Sequence, residues 1–260
     1  DIQKNVVIEE FKQNYLNQPY GDLHLIIRAA SYNVHPYHWC PIGKEISHIE
    51  KIDLNIANQF FQNFYTPNNA ILVVAGNINF EKTKKMISSH FSSIPFRDVV
   101  RRKYLFEPKK KEKIHLNIKR DVPSKCILLA FHMGARLENS FYISKLISRI
   151  LSSGVSSRLY NNLVMKEKIF SKVETYLGEE IDPSLFYIKG FLNENVDYSL
   201  AEKRIFHELE SLSSFLISDE ELNRVQKKNE SALRFSSLNN SYKSVDLAIG
   251  ALLGNPNLIN

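Results

Sequence analysis

Twice along this chain an apolar, strand-like run is followed by helices with an apolar side, and a dense run of charge separates the two cycles. The first cycle turns on "AILVVAGNI" (70–78), a β-branched run closed by Gly76 that has the profile of a buried strand. "FEKTKKMISSHFSSIP" reads as a helix that stops before Pro95. Upstream, "DLNIANQFFQNFY" puts Leu54, Ala57, Phe60, Phe61 and Phe64 on one side, with Asp53 as cap and "TPNN" as stop. The pattern restarts with "KIHLNIKRD" and "SKCILLAFHMG" as strands. A helix pair from Ser140 to Ile169 follows, interrupted at "SSGVSS". Next come the strands "KVETYLG" and "SLFYIKGFL" and further helices from about Asp197 to Leu253. Strands and helices mix without a strict βαβ repeat, so the expected fold class is α+β, with antiparallel or mixed sheets packed against helices.

The restart predicts two domains, 1–100 and 114–260, joined by a linker at 101–113, and the shared rhythm is consistent with internal duplication. "EPKKKEK" lacks interleaved aromatics and adjoins Pro108, so it reads as a solvated linker and not as a nucleic-acid patch, although the chain carries a net charge of +6. No apolar run approaches the roughly 20 residues of a membrane span. Cys40 and Cys126 form no CxxC pair, and the compartment stays open. The first residues already read as the middle of a helix, so a longer protein is expected.

That first helix carries Ile2, Val6, Phe11 and Tyr15 near helical spacing and stops at "NQPYG". It sets Glu9 beside Glu10. Successive helical residues project about 100° apart, so only one of the two faces a given site, and two solvated glutamates are the plainer reading. "HPYHWC" offers His35, His38 and Cys40, with His48 nearby, but lacks the paired spacing of zinc ligands and reads as a packed aromatic loop around Tyr37 and Trp39. "SSGVSSRLY" fails the P-loop pattern, and no G-x-S-x-G elbow occurs.

Four stretches taken together resemble the pitrilysin- and insulinase-like zinc metallopeptidases, which include the processing peptidases. They are "NVVIEEF"; "HPYHW" with "IGKEISHI" and "FFQNFYTPNNAILVVAGNI"; "HFSSIP"; and "LISRILSSGVSSRLYNNLV". The resemblance implies processing-peptidase-like α+β domains forming a clamshell around a chamber, and zinc-dependent hydrolysis of unfolded peptides. Glu10 falls at the position of the third zinc ligand. Gln3 replaces the family's glutamate seven residues earlier and implies an outer-sphere, uncharged role.

The family's H-x-x-E-H motif, whose two His bind the metal and whose Glu activates water, does not occur in these residues, so they cannot complete a zinc site alone. The substrate-polarising Arg and Tyr are also missing, their places being Val164 and Ser171. The resemblance therefore implies the zinc-bearing subunit of a heterodimer whose homologous partner carries the Arg/Tyr pair. A non-catalytic scaffold subunit of the same family is the alternative.

Overall fold

The computed structural model describes residues 2–99 and 103–259. Of the expected linker, Arg101 and Arg102 lie outside that range, as does Val100. The chain divides into two compact units. The first comprises the described residues up to Glu50 together with Tyr104–Gln226, and the second the described residues of 51–103 and 227–260.

Helix α1 (Ile2–Phe11) opens the first unit and continues as a π-helical turn, Lys12–Leu16, before the chain reverses into α2 (Leu23–Ser31). After a 3₁₀ turn at Pro36–His38 and the short α3 (Ile46–Glu50), this unit resumes beyond Tyr104. Its sheet has three antiparallel strands, β1 (Cys126–His132), β2 (Phe170–Leu177) and β3 (Leu185–Leu192), in the order β1-β3-β2. Leu129 pairs with Ile188, Val173 pairs with Gly190, and the β2–β3 register shifts between Phe170 and Lys172. Strand period sends alternate residues to opposite faces, and both faces are covered.

On one face, α6 (Asn139–Ser152), a helical segment with a π-helical stretch at Tyr160–Lys166, and α7 (Tyr198–Ser214) bury the main core. Leu151, Leu163, Phe170, Ile188 and Ile205 are its anchors. On the other face Tyr32, Leu185 and Tyr187 form a smaller core with Ile27, Leu128, Ala130 and Tyr176, so α2 is the second layer. Asp197 caps α7 by accepting from Leu200 N at 2.7 Å. The outer edge of β2 is closed by α6: Thr175 N donates to Ser152 Oγ at 2.9 Å, and Thr175 Oγ1 donates to Ser148 O at 2.9 Å.

The second unit contains α4 (Leu54–Phe64), α5 (Phe80–Phe91), part of α8 (Asp219–Ser237) and α9 (Asn240–Leu252). The cap of α4 is the expected one, Asp53 accepting from Ile56 N at 2.7 Å. "TPNN" becomes a 3₁₀ turn at Pro67–Asn69, held by Asn68 Nδ2 donating to Arg97 O at 2.8 Å.

Two expected strands differ. "AILVVAGNI" and "KIHLNIKRD" pair with no strand among the described residues. Their backbones need a neighbour that these residues do not supply. Ile71, Leu72 and Ile114 are accordingly about half exposed, and so are Phe60 and Phe61 on the apolar side of α4. Among the described residues no helix is long and apolar enough to cross a membrane.

Gly190 on β3 lies under the ring of Phe170, and a Cβ there would come within 2.5 Å of that ring. Gly190→Ala is therefore expected to lower the unfolding free energy by about 1–3 kcal/mol through overpacking, as measured by urea denaturation. An unchanged midpoint would show that the ring yields freely.

Candidate metal centre

The candidate ligand stands on α1. Phe11 is the one buried residue of that helix, and its ring meets Tyr15 at 5.3 Å. Lys4 Nζ donates to Glu50 O at 3.0 Å and ties the helix to α3. The expected apolar stripe is only half used: Ile2 and Val6 are 81% and 54% exposed, because nothing among the described residues covers that side. They line an open depression with Asn5, Glu9, Glu10 and Gln13.

The two neighbouring carboxylates differ in their engagements. Glu9 pairs with Lys12 at 2.7 Å, three residues on. Glu10 is exposed and makes no hydrogen bond or ion pair among the described residues. Gln3 is exposed two turns earlier, ~10 Å along the axis at 1.5 Å per residue, too far to touch Glu10 directly.

Zinc takes three or four protein donors. A free, exposed carboxylate fits one of those positions. Among the described residues no cluster of three or more His, Cys, Asp or Glu could hold a metal.

The histidines of "HPYHWC" are engaged elsewhere. His35 is buried, accepts from Tyr37 N at 3.2 Å through Nδ1, and has Nε2 3.4 Å from Asp182 Oδ2. His38 packs against Trp39, with ring centroids 4.0 Å apart. His48 lies 3.4 Å from Glu45. The stretch is an aromatic loop packed at His35, Tyr37 and Cys40, whereas Trp39, expected within the packing, is 42% exposed. Val164 packs against the main core, and Ser171 Oγ donates to Phe191 O at 3.2 Å.

A half-buried polar cluster under α2 was not signalled by the sequence pattern. Arg28, with its side chain 12% exposed, pairs with Glu180 on the β2–β3 connection and donates from Nε to Tyr37 O at 2.8 Å. Burial opposes the Arg28 charge, but the bond to Glu180 outweighs it and raises the pKa. His24, one turn earlier, has its pKa lowered by burial and then by the charges of Lys189 and Arg28. Tyr187 is pushed up to about 12, chiefly by burial. An arginine and a histidine four residues apart within "LHLIIRAA" were the available clue, since charged groups on a covered helix need partners.

The charged run is also partly anchored. Glu107 accepts from the backbone N–H groups of Asn33, Val34 and His35 at 2.8, 2.9 and 3.1 Å. Partial burial works against its charge, but the three donors, with Lys110 nearby, prevail and hold its pKa below the usual value.

Comparison with known proteins bears on this geometry. A family model described as the peptidase M16 inactive domain matches residues 51–229. The chain is 30% identical over 242 residues to the zinc protease PqqE of Helicobacter pylori, covering 92% of this chain and 54% of that protein. It is 24% identical over 236 residues to the uncharacterized zinc protease YmxG of Bacillus subtilis, covering 90% and 56%. The chain thus spans about half the length of the curated relatives it matches. Among solved structures, a protease from Helicobacter pylori superposes with a TM-score of 0.86 at 26% identity, over 96% of this chain and 61% of that one. A peptidase M16 inactive domain from Pseudomonas fluorescens gives 0.81 at 17% identity over 96% and 58%, a likeness of fold.

Because the folded pKa of Glu107 lies below its ordinary 4.5, its contribution to stability is present above that pH and is lost as pH falls through the folded value. Glu107→Gln is expected to flatten that acid limb in melts recorded from about pH 6 down to about pH 3. An identical pH profile in the variant would refute the assignment.

Proposed function

The chain belongs to the family described as the peptidase M16 inactive domain, and from that membership we propose that it is part of a zinc-dependent endopeptidase subunit acting on unfolded peptides. The observation that supports this reading is Glu10, an unengaged carboxylate in an open depression of α1, which the resemblance to zinc metallopeptidases assigns to the third-ligand position. In this reading Glu10 is one metal ligand and Gln3 an outer-sphere residue. The two imidazoles and the water-activating carboxylate come from residues outside these 260. Zinc, when bound, polarises a carbonyl and lowers the pKa of its water toward neutrality. The part of this chain is to supply one anionic donor from a fixed helix.

Val164 and Ser171 stand where catalytically complete members have Arg and Tyr, so a homologous subunit is proposed to supply that pair within a clamshell chamber. The boundary at 101–113 is likewise proposed to separate a first, zinc-bearing domain from a second one. The exposed apolar residues of α4 and of 70–78 support membership in a larger body, since apolar surface gains by being covered.

A non-catalytic scaffold is the second reading. Gln3, the missing pair and the match to a domain type described as inactive favour it.

Metal analysis of the full-length gene product separates the two. The peptidase reading expects near-stoichiometric zinc that is lost in Glu10→Ala; a zinc-free wild type supports the scaffold. Mixing the full-length protein with an Arg/Tyr-bearing homologue is expected to raise hydrolysis of an unstructured peptide well above either alone. Equal activity of the isolated protein would remove the split site.

A further inference from the structure

We propose that residues 113–121 close the open edge of β1 as a fourth strand, a strap that is already tethered on both sides of that edge. The inference is independent of the reading of Glu10.

The first observation is the edge itself. Among the described residues β1 pairs with β3 alone, and β3 separates it from β2. Leu192 N donates to Lys125 O at 2.9 Å and Met133 N donates to Ser184 O at 2.9 Å, so the odd-numbered residues of β1 turn their backbone groups toward β3. The N–H and C=O groups of Leu128 and Ala130 therefore point away from the sheet, and they have no backbone partner among the described residues. Such an edge is a template for one more extended strand.

The chain that leads into β1 passes across this edge. β1 starts beside the turn that precedes α2, where the Tyr20 ring meets Phe191, the partner of Cys126, at 5.1 Å. It ends beside the end of α2, where His132 Nε2 lies 3.0 Å from Ser31 O. Lys110 Nζ donates to Asn33 Oδ1 at 3.0 Å, just past the end of α2. Lys113 pairs instead with Glu202 of α7, on the other face of the sheet, and its Nζ is 5.3 Å from the ring of Phe206, which meets Phe131 of β1 at 6.2 Å. Arg120 then returns to the α2 side, donating from Nε to Asp22 Oδ2 at 2.9 Å, and Ser124 N donates to the Tyr20 hydroxyl at 2.9 Å. The segment thus runs from the end of β1 to its start, antiparallel to it, with anchors on both faces.

Its residues carry the parity of one strand. In an extended chain odd and even positions take opposite faces, and Lys113 is anchored on the α7 side while Arg120 is anchored on the α2 side. His115 Nε2 lies 3.4 Å from Asn117 Oδ1, as expected of next-but-one neighbours on a shared face. Ile114, Leu116 and Ile118 then share the face of Arg120, the side on which Leu128 and Ala130 pack against the core of Tyr32, Leu185 and Tyr187. These three are 51%, 50% and 37% exposed. Pairing with β1 covers them with that core and satisfies backbone groups on both strands. In the state described 113–121 is in register with no neighbour, and the edge of β1 is the one that its tethers straddle.

The test is amide hydrogen exchange on the full-length protein, read at Leu128 and Ala130 and at Leu129 between them. The closed strap predicts that the two outward amides are protected in the wild type. Leu116→Pro, which breaks the strap without touching β1, is expected to speed Leu128 and Ala130 at least about 10-fold while Leu129, bonded to β3, keeps its rate. Ile118→Ser, which keeps every backbone donor and removes apolar cover, is expected to give a smaller change in the same direction. Free exchange of Leu128 and Ala130 in the wild type overturns the proposal. So does protection that both variants leave unchanged, which assigns the edge to another segment. Protection that arises only when an unstructured peptide is added assigns the edge to a partner and also overturns it.

Discussion

The first unit depends on how α2 covers the second face of a three-stranded sheet. Apolar residues do most of this, with Ile27, Leu128 and Ala130 around Tyr32, Leu185 and Tyr187. One ion pair, Arg28 with Glu180, is half-buried beside them. Removing one partner of a fully buried pair typically costs about 3–5 kcal/mol, and partial exposure lowers that figure here. Its value is thus geometric more than energetic. It ties α2 to the β2–β3 connection and to the turn at Tyr37.

The exposure of Glu10 follows from how α1 is held. α1 is held by its buried Phe11 and by Lys4 on α3, while its other side is left open to solvent. Glu9 is drawn to Lys12, but no neighbour neutralises Glu10. An unpaired carboxylate on an otherwise fixed helix can donate to a metal without first giving up a partner. Ile2 and Val6 beside it are apolar groups that gain by being covered.

Much of the fold was legible in the sequence, for reasons that are local. Asp53 announced α4 because an N-cap needs only the next three residues, and "KVETYLG" and "SLFYIKGFL" announced a hairpin because alternation and turn signals lie close together. The unpaired runs at 70–78 and 113–121 show the limit of that signal: apolar β-branched residues state a preference for a sheet and do not provide its other strands. The pairing of Arg28 with Glu180 spans 152 positions and had no local sign beyond a charge within an apolar stripe. Glu107 was read as solvated because its partners are backbone N–H groups, which every sequence possesses. The π turn at Lys12–Leu16 was equally silent. At the candidate site, the choice of Glu10 over Glu9 came from family resemblance, and the structure adds that Glu9 pairs with Lys12.

The central claim is that this carboxylate is a zinc donor completed by residues outside the 260. Anomalous diffraction at the zinc edge, on crystals of the full-length protein, tests it most directly. The account predicts a peak about 2.0–2.2 Å from a carboxylate oxygen of Glu10, shared with two imidazole nitrogens. A zinc peak bound elsewhere, or a fully formed coordination sphere that leaves Glu10 in solvent, would contradict it.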